Sequence, residues 1–250
     1  MSAAEFDGLS VLVTGGASGI GRATATMFAR TGARVAVMDL TVDGLDADVV
    51  GFQADIANEE SVIRAVGAAA SHLGGLDILV NNAGIGAQGT VEDVSDEEWA
   101  RVLSVNVTGV ARVSAAALPF LRRSKHPSIV NTCSVAASVG LPQRALYSAS
   151  KGAVLALTRA MATDHVAEGI RVNSVSPGTA DTPWVARLLE QADDPETERE
   201  SLAGRQAMGR LVQADEVAHA ILFLAGPRSG STTGVDLLVD GGLTHLRVRK

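Results

Sequence analysis

Short apolar, β-branched runs alternate with longer alanine-rich stretches along this chain, and nothing else in it restricts the fold so strongly. "SVLVT" (10–14), "RVAVMD" (34–39), "VVGFQA" (49–54), "DILVN" (77–81), "SIVNTC" (128–133), "IRVNSV" (170–175) and "DLLVD" (236–240) read as strands. Their near-continuous hydrophobicity is that of strands covered on both faces. Stretches between them carry helical spacing and end near a glycine, as in "GIGRATATMFARTG" (19–32) and "KGAVLALTRAMATDHVAEG" (151–169). The alternation predicts an α/β fold: a doubly wound parallel sheet with right-handed crossovers and helices on both faces. At 250 residues the chain suits one domain, 1–250.

Composition excludes several function classes. Net charge is −7, which disfavours nonspecific contact with nucleic acid or anionic membranes. No apolar run approaches the ~20 residues that span a bilayer. The N-terminus "MSAAEFDG" is acidic and lacks the regions of a signal peptide. The single cysteine, Cys133, lies in an apolar run and reads as a buried structural thiol. It fits a reducing, cytoplasmic compartment. The five histidines form no pair at metal-ligand spacing, so no metal is expected. The basic C-terminal cluster (His245, Arg247, Arg249, Lys250) reads as a solvated tail.

"TGGASGIG" (14–21) follows the first strand and opens a helix. Gly15, Gly19 and Gly21 allow a tight turn and close approach to a phosphate, which the helix N-terminus attracts. Asp39 ends the second strand, 18 residues after Gly21, about where a Rossmann-type fold places an acid for the adenosine ribose. A carboxylate there accepts from two ribose hydroxyls and repels a 2′-phosphate. Leu40 and Thr41 supply no cation, so NAD is favoured over NADP. The plainer reading of Asp39 is a strand-end turn residue.

TGxxxGxG (14–21), "NNAG" (81–84), Asn106, Ser134, YxxxK (147–151) and "PG" (177–178) occur in the order found in one family. The chain resembles the short-chain dehydrogenase/reductase family over nearly its whole length. The resemblance implies a catalytic set of Asn106, Ser134, Tyr147 and Lys151. It implies a cofactor site formed by Gly15, Ser18, Gly19, Ile20, Gly21, Asp39, Asp55, Ile56, Asn81, Ala83, Gly84, Tyr147, Lys151, Pro177, Gly178, Ala180 and Thr182. Asp55 would reach the adenine, and Thr182 would pass the nicotinamide amide and pyrophosphate. It also implies a homotetramer, with helices 101–121 and 148–166 packed across a two-fold axis.

Tyr147 is the only tyrosine in the chain. In a helix beginning near 146, Tyr147 and Lys151 lie one turn apart on the same face. A phenol is a poor base at neutral pH, and a nearby ammonium favours its ionised form. Tyr147 would then exchange a proton with a secondary alcohol or ketone as hydride moves. By resemblance, Ser134 hydrogen-bonds the reacting oxygen and Lys151 holds the nicotinamide ribose. Asn106, buried in a helix, would support a water that relays protons from Lys151; a buried amide there needs partners.

The charged, amphipathic segment 181–210, after the sixth strand, reads either as a small helical substrate lid or as a plain surface helical hairpin. It carries Arg187 and Arg205, and Arg144 lies three residues before Tyr147. Guanidinium forks bind carboxylates. This region resembles the subgroup of type 2 3-hydroxybutyrate dehydrogenases and of L-fucose and 2-keto-3-deoxy-L-fuconate dehydrogenases. In the hydroxybutyrate type, arginines matching Arg144 and Arg205 contact the substrate carboxylate; the match at Arg187 is displaced by one residue. Trp184 matches the sugar-acid branch. Ser134, Arg144, Tyr147, Trp184 and Arg205 are thus the expected substrate-binding residues. Surface salt bridges are the alternative for the arginines. Two competing functions stay open: an NADPH-dependent 3-oxoacyl-carrier-protein reductase, and a catalytically silent NAD-binding protein.

Overall fold

A computed structural model describes residues 5–190 and 192–248. The chain opens with β1 (Ser10–Thr14), α1 (Gly19–Arg30), β2 (Arg34–Asp39), β3 (Val49–Gln53), α2 (Glu59–Leu73) and β4 (Ile78–Asn81). It continues with α3 (Asp96–Leu103), a π-helical turn (Ser104–Gly109), α4 (Val110–Leu121), β5 (Ser128–Thr132), α5 (Ala145–His165) and β6 (Arg171–Pro177). The last third holds β7 (Ala180–Asp181), α6 (Pro183–Glu190), α7 (Pro195–Gly204), β8 (Val212–Gln213), α8 (Ala214–Ala225) and β9 (Asp236–Val239).

Seven strands form one parallel sheet in the order β3-β2-β1-β4-β5-β6-β9, and the two-residue strands β7 and β8 pair separately. Every strand expected from the sequence is present, its ends within about two residues of the expected ones. Alternating side chains sort to opposite faces. Val11 and Val13 of β1 pack with Phe28 of α1 and Ile221 of α8. Leu12 packs on the other face with Val66 of α2, Val113 of α4 and Met161 of α5. The doubly wound expectation therefore holds.

Chain direction reverses between β1 and β4. The first crossovers lead outward to β2 and β3, and the chain then returns to lay β4 on β1's other side. Ligands of such sheets bind beyond the carboxyl ends of the strands at this point. The segments after β1, β4, β5 and β6 all open there.

The rod Asp96–Leu121 is long and apolar enough to cross a membrane by length and composition, with hydropathy 1.3 over its best window. No continuous apolar run marks it in the sequence, because Ser104, Asn106, Thr108, Arg112 and Ser114 interrupt it. In the fold, Val102, Asn106, Val110, Val113, Ser114, Ala117 and Leu121 are buried, which is the packing of a core helix. His245 and Arg247 of the basic tail are exposed; Arg249 and Lys250, like residues 1–4 and 191, lie outside the described residues. Cys133 is buried, and burial pushes its thiol pKa up.

Candidate active site

The glycine loop is built by close backbone approach. Gly15 has φ +63, and a methyl on it would meet the Ala83 Cα at 2.8 Å. A methyl on Gly21 would collide with the Gly15 carbonyl oxygen. Gly19, at φ +52, faces Thr182 across the cleft. Only glycine adopts these conformations without strain.

The start of α1 is left open. Its N-cap Ser18 makes no side-chain capping bond, and its first turn carries no acid. By contrast, α2, α3 and α7 are capped by Asn58, Ser95 and Asp194, each with acids in the first turn. Free amide donors and the positive end of the helix dipole together suit a phosphate.

Asp39 serves the loop directly. Its carboxylate accepts from the Ala17 N–H (3.0 Å) and the Leu40 N–H (2.8 Å). An ionised carboxylate offers about four acceptor positions, so capacity remains for hydroxyl donors. The strand-end role and a ribose role are therefore compatible. Asp55 is exposed after β3 and accepts from the Ala57 N–H. Ile56 is buried against Gly109.

The two asparagines of "NNAG" part company, because successive strand side chains point to opposite faces. Asn81 is 3% exposed and donates to Ser114 Oγ and Asn131 Oδ1, both at 2.9 Å, inside the core. Asn82 instead donates to the carbonyls of Thr14 (3.1 Å) and Gly15 (3.0 Å) and so holds the glycine loop. Sequence reasoning missed Asn82; strand alternation was the signal that would have found it. Ala83 underlies Gly15.

The catalytic candidates converge at the end of β5. Ser134 follows that strand and accepts from the Ala136 N–H (3.2 Å), which leaves its own proton unassigned. Lys151 is 6% exposed and donates from Nζ to the Thr132 carbonyl (2.8 Å). Its Nζ lies 5.8 Å from the centre of the Tyr147 ring. Tyr147 is half-buried on a cluster with Ile85, Ala87, Trp99, Val102 and Leu146. Among the described residues its hydroxyl has no hydrogen-bond partner. The helix begins at Ala145, so the Tyr–Lys pair is one turn apart as the spacing requires.

Asn106 finds the partners that a buried amide needs. It accepts from the Ile85 N–H (2.8 Å) and donates to the Ile85 carbonyl (2.8 Å) and to Ser150 Oγ (3.1 Å). Ser150 in turn donates to the Tyr147 carbonyl (2.8 Å). Asn106 sits in the π-helical turn, a local departure from the plain helix expected over 101–121. π-turns inside helices recur at functional sites.

Gly84 completes the floor. A methyl on it would meet Asn106 Oδ1 at 3.2 Å and Lys151 Nζ at 3.6 Å. A bare backbone beside a buried ammonium with donors to spare fits a hydroxyl-bearing cofactor. Pro177 ends β6, Gly178 donates to the Val239 carbonyl (3.0 Å), and buried Ala180 leads to Thr182 opposite Gly19. The expected nicotinamide dinucleotide thus fits the residues present. Among the described residues no His, Cys, Asp and Glu cluster could hold a metal.

The segment 181–210 forms two helices, α6 and α7, around a small core of Val185, Leu189, Leu202 and Leu211. Its arginines divide. Arg199 pairs with Asp181 (2.8 Å) and Arg210 with Glu216 (2.7 Å). Arg144, Arg187 and Arg205 have no carboxylate partner among the described residues. Arg144 is half-buried; burial first, then the charge of Arg205, pulls its pKa below the usual arginine value. Trp184 is 40% exposed and lies over Gly86.

Residues 15–244 match the family described as Enoyl-(Acyl carrier protein) reductase. The cis-4-hydroxycyclohexanecarboxylate dehydrogenase of Sinomonas cyclohexanicum is 41% identical over 93% of this chain and 95% of its own length. A 3-oxoacyl-(acyl-carrier-protein) reductase of Thermotoga maritima is 35% identical over 96% and 99%. The aldohexose dehydrogenase of Thermoplasma acidophilum, solved ligand-free, superposes with TM-score 0.92 at 34% identity and 99% coverage of both chains. Relatives that cover 93% or more of the chain are named as dehydrogenases or reductases, and the chain belongs to the short-chain dehydrogenase/reductase family of oxidoreductases acting on CH–OH groups.

Proposed function

We propose that the protein is an NAD-dependent oxidoreductase for a small hydroxy acid or sugar acid, interconverting a secondary alcohol and its ketone. The observation that carries the substrate class is Arg144: half-buried, three residues from Tyr147, in no ion pair among the described residues, and under the charge of Arg205 from segment 181–210. Two neighbouring guanidinium groups, neither in an ion pair among the described residues and with only the more distant charge of Glu198 near Arg144, suit a carboxylate. The 41%-identical relative is also named for a hydroxy carboxylate.

Asp39 carries the cofactor preference. Residues 14–21 and 37–45 contain no lysine or arginine to meet a 2′-phosphate, and nearby Arg22 is paired with Asp46 at 3.1 Å. The glycine loop and the open end of α1 would hold the pyrophosphate, Lys151 the nicotinamide ribose, and Thr182 the nicotinamide side. When bound, the nicotinamide accepts or supplies the hydride. Tyr147 Oη takes the alcohol proton in oxidation and returns it in reduction. Ser134 Oγ donates to the same substrate oxygen. Lys151 places positive charge beside the phenol as its proton leaves. Asn106 fixes Ile85 and Ser150 and supports the water through which Lys151 meets solvent. By the family's habit the enzyme is a cytosolic homotetramer with α4 and α5 at an interface.

In steady-state kinetics over a hydroxy-acid and sugar-acid panel, Arg144→Ala is expected to raise KM by about tenfold or more, the loss of a charged hydrogen bond. NADH affinity should stay unchanged. An unaltered KM across the panel would remove the carboxylate reading. The second reading, a carrier-protein reductase, is favoured by the Thermotoga relative. Faster turnover with NADPH than with NADH would select it.

A further inference from the structure

The loop after β4 is clamped at both ends. Ile85 is held through its N–H and carbonyl by Asn106, at 2.8 Å each. Gly89 donates to the Gln143 carbonyl (3.1 Å), and Ala145 donates to the Gly89 carbonyl (3.3 Å). Gln143 is the one non-glycine residue with positive φ (57°) among the described residues, so this bridge is built against backbone preference. Ala87, between the clamps, is buried in the cluster that supports the Tyr147 ring.

Gly86 lies within that clamped span, and the Trp184 indole rests on it. A methyl at 86 would stand 3.0 Å from Cε2 of Trp184 and closer still to Cζ2. Gly86 does not have positive φ, so conformation alone does not call for glycine there. Space does. Trp184 belongs to α6, whose Val185 and Leu189 are buried in the lid's own core. The indole is therefore carried by the lid, while its seat is carried by the loop that packs on Tyr147.

We infer that Gly86 is a specificity-determining position: its bare backbone seats Trp184, and the seated indole is the lid-borne wall of the substrate pocket, set against the apolar carbon skeleton of the substrate. The inference rests on the reading of 181–210 as a substrate lid. A side chain at 86 lifts the indole and with it the start of α6. The clamps at 85 and 89 prevent the loop from yielding instead. The wall then changes while Tyr147, Lys151 and the glycine loop stay in place.

The test uses Trp99→Phe as background, which leaves Trp184 as the only indole. Acrylamide quenching of tryptophan emission reads the seat without any substrate. Gly86→Ala is expected to raise the quenching constant about twofold and shift emission to the red, as a packed ring is pushed into water. Gly67→Ala, in α2 with open space around it, should change neither. For the panel acid that wild type oxidises, Gly86→Ala should raise KM about tenfold with kcat changed less than about twofold, a loss of binding alone. In a Trp184→Leu background, Gly86→Ala should no longer change either KM or thermal midpoint, and this second substitution should rescue folding if Gly86→Ala alone misfolds. Unchanged quenching in Gly86→Ala, or an equal KM penalty in the Trp184→Leu background, overturns the inference. Absence of turnover on every acid would instead sink the proposed substrate class, while the quenching result would still decide the seat.

Discussion

At the scale of single residues, the pair proposed to exchange protons is legible in the sequence, and the residues that hold it are not. Tyr147 and Lys151 announce themselves by a helical spacing that needs no tertiary knowledge. Asn106 is visible only as an amide in an apolar helix; its partners, Ile85 and Ser150, are 21 and 44 residues away. Asn82 hides beside Asn81 until strand alternation is applied. The pairing state of Arg144 and Arg205 is likewise a property of the folded surface, where Arg199 pairs with Asp181 and Arg210 with Glu216. The Asn106 network gives a direct test. Asn106→Ala leaves the Ile85 N–H and carbonyl without their partner, at a cost of roughly 2–3 kcal/mol. Urea unfolding should show that loss as a lower midpoint with unchanged slope. A midpoint equal to wild type would mean that water replaces the amide at no cost.

At the scale of elements, periodicity and β-branching locate all seven strands of the main sheet because each is a short apolar run between turn residues. The π-helical turn at Ser104–Gly109 leaves no such mark, since it follows from one extra residue accommodated in a continuous rod. Segment 181–210 is legible as a helical insertion, but the small core that its two helices share is not. The start of α8 shows a local device that the sequence does carry. The Gln213 N–H donates to the Glu216 carboxylate (2.9 Å), the return half of a capping box, and Arg210 donates to the same carboxylate. Those hydrogen bonds, that from Arg210 foremost, hold the Glu216 carboxyl down to about 2. Its contribution to stability is therefore present above about pH 4.5 and is lost as pH falls toward 2. Glu216→Gln should lower the thermal midpoint at neutral pH, and the gap from wild type should close across that acid window. Because the pair is partly exposed, the gap should be small and should shrink with added salt. A gap independent of pH would assign the effect to the cap alone.

At the scale of the whole molecule, one sheet edge collects what the chain scatters. The glycine loop, Asn82 and Gly84, Ser134, the Tyr–Lys helix and segment 181–210 arrive from five separate stretches, and they meet because four parallel strands end on the same side. That convergence was legible from the strand–helix alternation, which makes the strands parallel and sets their carboxyl ends on one side. The partner across each pairwise contact, such as Trp184 over Gly86, was not, because shape complementarity is not encoded in spacing. We propose that this edge is an active site in which Tyr147 moves the proton. The measurement that reaches it most directly is Tyr147→Phe, assayed for NADH formation with NAD and the best panel acid, alongside NADH binding by fluorescence. Turnover should fall by about a thousandfold, the range of a lost general acid–base group, while NADH affinity and thermal midpoint stay as in wild type. A Tyr147→Phe enzyme that turns over at the wild-type rate would contradict the account.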